Sequence, residues 1–315
     1  MVSRGGMAES VHAVAACVSD RDGRLAGESS PGAAALEVFV RSAAKPFQAL
    51  AAVRADALEA LGLGDRHLAV ACASHDSSEE RVLLVQEILA TAGLGEDALA
   101  CGIAAPLDGR VAREIGDDIR PVHHNCSGKH AAMLATCVVN GWPIATYLEP
   151  DHPLQRGLKA AFSELTSEPV VSVGVDGCGA PLFSASLTGL ARAFSALVLA
   201  AAGTAERRVA DAIVAAPEFA SGSRRDEAAL LRAVPGAIGK AGAEACYAVA
   251  LPDGRAVALK IDDGGRRACP VVMVQALRRL DVDSESGVDA EAMHRIGEVA
   301  VLGGGRPVGE LRPTF

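Results

Sequence analysis

Aromatic residues make up only 3% of this 315-residue chain, with one tryptophan, two tyrosines and seven phenylalanines. Single-stranded nucleic acids are gripped by stacking bases on such rings, so their scarcity argues against that class of partner. An excess of positive charge is lacking too. The formal net charge of -9 argues against a phosphate-binding protein of the basic kind. No run of like charges suggests an interaction tail. No apolar run reaches the roughly 18 residues that a transmembrane helix needs. The opening "MVSRGGMAESVHAVAAC" shows no basic segment followed by an apolar stretch and a cleavage site. Eight cysteines are present, but none forms a C-x-x-C pair. Reduced thiols in a cytoplasm are therefore expected, most of them small buried hydrophobes.

What is abundant is aliphatic. Hydrophobic residues make up 50% of the chain, so a sizeable core has to be built from Ala, Val, Leu and Ile. "SVHAVAACVSD" and "LEVFV" read as short strands, and "CYAVALPDGRAVALKIDDGG" as a hairpin turning at Pro-Asp-Gly. "HLAVACAS" reads as a buried strand ending at Ser74, and "PVVSVGV" as a strand entering a glycine-rich turn. Apolar spacing predicts helices in "KPFQALAAVRADALEALGL", "SEERVLLVQEILATAGL", "GKHAAMLATCVVNG", "CPVVMVQALRRL" and "DAEAMHRIGEVAVL". Residues 184 to 235 read as mostly helical. Strands and helices do not alternate regularly, so a doubly wound parallel sheet is not expected. Strands near both ends and a helical middle predict an α+β fold: a mixed, largely antiparallel sheet built from both ends and packed with helices. One domain over residues 1 to 315 is expected, with 184 to 235 as a candidate helical subdomain.

Several clusters can carry chemistry. In "VRSAAKPFQAL", Ser42 and Lys45 sit three apart at a helix start, on one helical face. A serine hydroxyl needs a base before it attacks, and lysine, with a pKa of about 10.4, is a base only when burial or a nearby cation lowers that value. A lone S-x-x-K is more often a capping serine followed by an exposed lysine. "HHNCSGKHAAM" crowds Asn125, Cys126, Ser127, Lys129 and His130 at a helix start, where free N–H groups can receive an anionic or carbonyl oxygen. The plainer alternative is an N-cap cluster with a buried cysteine. "VDGCGAP" sets Asp176 and Cys178 among glycines that permit close ligand approach, or simply a tight turn. Cys126 and Cys178 could form half a metal site with nitrogen from Lys129 or His130, although two isolated cysteines are more often just buried. Ser74 with His75, and Lys260 in "VALKIDDG", complete the polar set; Lys260 either snorkels at a sheet edge or faces a site.

In order, "RSAAKPFQ", "ASHD", "HNCSGKH", "VDGCGAP", "KAGAEA" and "LKIDDGG" resemble the L-asparaginase II family of the rhizobial type, from about residue 9 to "VGELRP". The resemblance implies a fold like that of serine β-lactamases and glutaminases. It also implies a homodimer that hydrolyses L-asparagine to L-aspartate and ammonia. By the same resemblance, Ser42 and Lys45 match a first Ser-Lys pair with Ser42 as nucleophile, and Ser74 and Lys260 a second pair. Cys126, Lys129 and Cys178 match a zinc site that assists substrate binding, and Arg41, Asn125, His130 and Asp176 match the pocket around it. No organic cofactor is implied. The stretch "SHDSSEERV" departs from the family, with Asp76, Ser77 and Arg81 where a glycine and a histidine are usual. No Ser-Asp-Asn or Lys-Thr-Gly triplet occurs, which argues against penicillin as substrate. Glutamine or a β-aspartyl compound remains an alternative substrate, and a non-catalytic zinc- or amino-acid-binding protein a more distant one.

Overall fold

The computed structural model describes residues 1–314, with Phe315 outside it. Strand pairing is antiparallel in all three sheets. The central sheet runs, edge to edge, Leu25–Glu28, Val14–Ser19, Ala256–Ile261, Cys246–Ala250, Ile238–Ala241. Two strands come from the first thirty residues and three from beyond residue 237, so the expected assembly from both ends of the chain holds. The predicted hairpin is present, with Ala256 opposite Ala250. Cys246–Ala250 is buried along its whole length, which requires cover on both faces. Helices Leu187–Leu199 and Cys269–Arg278 pack against the sheet and supply it.

Two sequence expectations need correction. "HLAVACAS" is not a strand; Asp65–Ala71 is a helix, with Cys72 capping it. Leu68, Ala69, Val70 and Ala71 are all buried, and a short helix packed on every side loses the polar stripe that distinguishes helix from strand. "DAEAMHRIGEVAVL" divides into helix Ala290–Gly297 and strand Val299–Gly303. Its Val299 and Val301 pair with Arg306–Leu311, in a sheet completed by Val2–Arg4 and Met7–Ser10. Residues 184 to 235 are mostly helical as expected, in Leu187–Leu199, Ala205–Ala215, Pro217–Ser221 and Asp226–Ala233.

The scarce aromatics are concentrated rather than scattered. Phe47 meets Phe162 and Phe194 at ring-centroid distances of 5.7 and 5.1 Å, and Phe162 meets Phe183 at 5.8 Å. This cluster anchors helix Lys45–Arg54 just behind its first turn. A second buried helix, Ser127–Val139, packs across Lys45–Arg54, Asp65–Ala71 and Glu79–Thr91. Its approach is close at Gly128, where a Cβ would stand 2.4 Å from the Val70 carbonyl oxygen. The third sheet pairs Pro181–Ser186 with Glu37–Phe39 on one side and Val173–Val175 on the other. Both outer strands therefore deliver the residues that follow them, Arg41 and Asp176, to one place. Among the described residues no helix is long and apolar enough to cross a membrane.

Candidate active site

Ser42 lies in a 3-10 turn, Arg41–Ala44, that runs directly into helix Lys45–Arg54, with Pro46 in its first turn. Arg41 has φ of 52°, a left-handed conformation that costs a non-glycine residue about 1–2 kcal/mol. Arg41 Nε donates to Asp176 Oδ1 at 2.9 Å, and this bond ties the turn to the glycine-rich loop. From the other side Gly242 closes on the turn; a Cβ there would lie 2.7 Å from the Val40 carbonyl oxygen and 3.2 Å from the Ala43 nitrogen. Ser42 is half-buried, and its Oγ has no hydrogen-bond partner among the described residues.

Lys45 is fully buried, and its Nζ donates to the Ala73 carbonyl at 2.6 Å, to Ser74 Oγ at 3.1 Å and to the Asn125 carbonyl at 3.2 Å. Burial pushes its pKa down; charge on Cys126 opposes this and Lys129 reinforces it. A lysine in this setting is far better placed to lose its proton than one at a surface. Ser74 thus pairs with Lys45. Lys260, expected as its partner, instead donates to the Ile261 and Asp262 carbonyls and faces an open groove lined by Arg41, Glu244 and Asp262.

The buried second lysine is Lys240, in strand Ile238–Ala241, just before Gly242. Its Nζ donates to Glu227 Oε1 at 2.6 Å, and the same oxygen accepts the Ala241 N–H at 3.0 Å. Burial lowers the Lys240 pKa to about 8, with Glu227 opposing and Arg225 and Lys45 adding to the fall. Burial alone would raise Glu227, but Lys240, Arg225 and Arg266 outweigh it and hold the carboxyl at about 2. Sequence reasoning missed both residues. "KAGAEA" carried part of the family resemblance, with no role given to its lysine, Lys240.

Around the head of helix Ser127–Val139 the remaining expected residues do come together. The Cys126 and Cys178 thiols are neighbours, and Lys129 Nζ lies 3.1 Å from Cys178 Sγ. The Cys178 thiol beside it holds Cys126 well below the ordinary thiol range, against burial and with help from Lys45 and Lys129; Cys126 in turn raises Cys178. Burial disfavours the Lys129 ammonium, yet Cys178, Cys126 and Asp176 together keep it charged. Asp176, penalised by burial, is held down by Lys129 and Arg41. Asn125 Oδ1 lies 3.3 Å from Cys126 Sγ. His130 is buried, and burial lowers its pKa to about 4. Its Nδ1 is 2.7 Å from Tyr147 Oη, while Nε2 has no partner that satisfies both distance and angle. The departing residues Asp76 and Arg81 are structural braces. Asp76 accepts from the Ser78 and Ser223 N–H groups, and Arg81 donates to the Glu218 carbonyl and Ser223 Oγ, fastening 76–81 to 218–223.

Two buried thiol sulfurs, Cys126 and Cys178, are donors that suit zinc. Among the described residues no three His, Cys, Asp or Glu side chains converge as a metal site. A third donor would have to be Lys129 Nζ after loss of its proton. With that condition the residues fit a soft cation.

Comparison with known proteins gives three results. No curated protein is significantly similar to the chain. Among solved structures, one described as Mglu in its native form is 15% identical with a TM-score of 0.47, covering 86% of this chain; the chain spans 64% of that structure's length. A β-lactamase from Mycobacterium bovis is 14% identical with a TM-score of 0.43, covering 90% of this chain and 95% of that one. The family model for L-asparaginase II matches residues 1–313. The chain belongs to the L-asparaginase II family.

Proposed function

We propose that this amidohydrolase converts L-asparagine and water to L-aspartate and ammonia through an acyl-enzyme on Ser42. One observation carries the reading: a fully buried Lys45 begins the helix that Ser42 leads into, its Nζ held by Ser74 Oγ and two carbonyls. With Lys45 neutral, Ser42 Oγ attacks the side-chain amide carbon while its proton passes to Lys45. The carbonyl oxygen becomes an oxyanion, which backbone N–H groups at the turn stabilise by roughly 3 kcal/mol per donor. Lys45 returns the proton to the departing nitrogen, the C–N bond breaks and ammonia leaves. Water then cleaves the ester and restores Ser42. Lys129 is the buried cation that lowers the Lys45 pKa, and Lys240, whose own pKa Lys45 lowers, is a further buried cation near it.

The Arg41–Asp176 ion pair suits a zwitterion, since an α-carboxylate on Arg41 and an α-ammonium on Asp176 replace one charge pair by two. Cys126, Cys178 and Lys129 would hold zinc; bound there, it would supply positive charge to the substrate's carboxylate. The nucleophile is the protein's own. A second reading is favoured by one distance: Ser74, not Ser42, touches Lys45 Nζ. Ser74 is only 5% exposed, however, while Ser42 is half-buried with no hydrogen-bond partner among the described residues. Ammonia release from L-asparagine, D-asparagine and L-glutamine by wild type, Ser42→Ala and Ser74→Ala tests both. Turnover of L-asparagine surviving in Ser42→Ala and absent in Ser74→Ala would transfer the nucleophile to Ser74.

A further inference from the structure

A groove of about 530 Å³ opens beside the Arg41–Asp176 ion pair, with Arg41 in its wall. That volume falls within the roughly 300–1,000 Å³ that small-molecule sites occupy. The two sides of the groove differ. One is apolar: Phe39 and Val175 are 43% and 77% exposed, on the outer strands of the three-stranded sheet that lead into Arg41 and Asp176. The other is charged, with Lys260 near the end of Ala256–Ile261 and Glu244 and Asp262 in the same groove. Lys260 is half-buried, and its Nζ donates to the Ile261 and Asp262 carbonyls. Among the described residues Lys260, Glu244 and Asp262 make no ion pair, so all three charges are free to meet a ligand that brings its own.

We infer that the site takes asparagine at the N-terminus of a short peptide as well as the free amino acid, with the second residue lying in this groove. The inference rests on the asparagine chemistry proposed for Ser42 and Lys45. The α-ammonium stays on Asp176. The peptide carbonyl takes the place of the α-carboxylate before Arg41, whose guanidinium donates to either. The carboxylate of the second residue then meets Lys260. A basic side chain on that residue lays its aliphatic stem along Phe39 and Val175 and carries its charge to Glu244 and Asp262. An acidic side chain meets like charge there. The extension leaves from the α-carbonyl, so the bond that breaks is unchanged. Ser42 displaces ammonia from the side-chain amide and water releases the acyl group. Asparaginyl dipeptide plus water gives aspartyl dipeptide plus ammonia, with the peptide bond intact.

The test is ammonia release from L-asparaginyl-L-lysine, its C-terminal N-methylamide and L-asparaginyl-L-glutamate, beside free L-asparagine, by wild type and Lys260→Met. Wild type is expected to convert asparaginyl-lysine to aspartyl-lysine, with kcat/KM about fivefold above the N-methylamide and above asparaginyl-glutamate. In Lys260→Met the preference for the free carboxylate over the N-methylamide should disappear. A wild type that turns over L-asparagine but none of the peptides overturns the inference. So does a carboxylate preference that survives Lys260→Met. If L-asparagine itself is not turned over, the asparagine chemistry fails, and calorimetry decides the groove by itself. Asparaginyl-lysine should bind Ser42→Ala about fivefold more tightly than it binds Ser42→Ala with Lys260→Met added; equal affinities would remove the groove from recognition.

Discussion

Glu227 and Lys240 form an ion pair at 2.6 Å from which water is almost wholly excluded, with side chains 0% and 1% exposed. The partners are not equally supported. Glu227 also faces Arg225 at 3.3 Å and the charge of Arg266, whereas Glu227 is the one anion holding Lys240 against the charge of Lys45. Removal of the anion is thus worse than removal of the cation. Glu227→Gln should destabilise the protein by about 3–5 kcal/mol, the usual cost of stranding a buried charge. Lys240→Met, similar in volume, should cost less in the same urea titration. The reverse order would mean that the arginines do not support Glu227.

Activity separates the two strand lysines. Lys240→Met removes a buried cation whose repulsion with Lys45 is mutual, and is expected to lower kcat for asparagine hydrolysis at least about tenfold by raising the Lys45 pKa. Lys260→Met, whose ammonium meets carbonyls at a groove rim, is expected to change kcat less than about fivefold. The pH–rate profile gives a second check, because the acidic limb, set by loss of the Lys45 proton, should move to higher pH only in Lys240→Met.

Acid should weaken the fold through His75. Its Nδ1 accepts the Ser77 N–H, and its Nε2 must donate to Ser127 Oγ, since the Ser127 proton is spent on the Val122 carbonyl. Burial, with Lys45 adding to it against Asp76, lowers the pKa from 6.5 to about 3. The unfolded chain therefore takes up this proton near its ordinary pKa and the folded chain does not. Stability is intact above about 6.5 and falls toward pH 3 by about 1.4 kcal/mol per pH unit from this group alone. Glu227 acts in the same direction lower down, losing its contribution as pH falls from 4.5 toward 2. His75→Gln should flatten the slope between pH 6 and about 4 by one proton's worth, as read by urea unfolding; an unchanged slope would mean that His75 already titrates in the folded state.

Gly242 and Gly128 have no room for a methyl group, for different consequences. Gly128→Ala presses on the Val70 carbonyl between two core helices and should cost about 1–3 kcal/mol. Gly242→Ala presses on the Ser42 turn through Val40 and Ala43 and should lower kcat at least about tenfold with the smaller loss of stability. Thermal melts and initial rates on both variants check the split.

How much of this was readable beforehand depends on how local each signal is. The hairpin at Pro252-Asp253-Gly254 and the helix opening at Ser127 are written in adjacent residues, and both stand as expected. The helix Asp65–Ala71 is not, because total burial removes its periodicity. The two strand lysines show the same limit at the site. "GKAG" and "ALKID" place Lys240 and Lys260 alike among small or apolar neighbours, in strands buried almost throughout. What sets them apart is Glu227, thirteen positions upstream of Lys240 on another element and visible only once the chain is folded. Arg41 with Asp176, and Cys126 with Cys178 and Lys129, were legible as motifs; their closeness comes from the three-stranded sheet and the 127–139 helix.

The central claim is that Ser42 is the nucleophile and Lys45 its base. Its most direct test is mass spectrometry of the protein quenched during turnover of L-asparagine, with Ser42→Ala and Ser74→Ala beside it. The account predicts a β-aspartyl ester on the peptide containing Ser42, present in wild type and absent from Ser42→Ala. An ester on the Ser74 peptide, or ammonia release by Ser42→Ala at the wild-type rate, would contradict it.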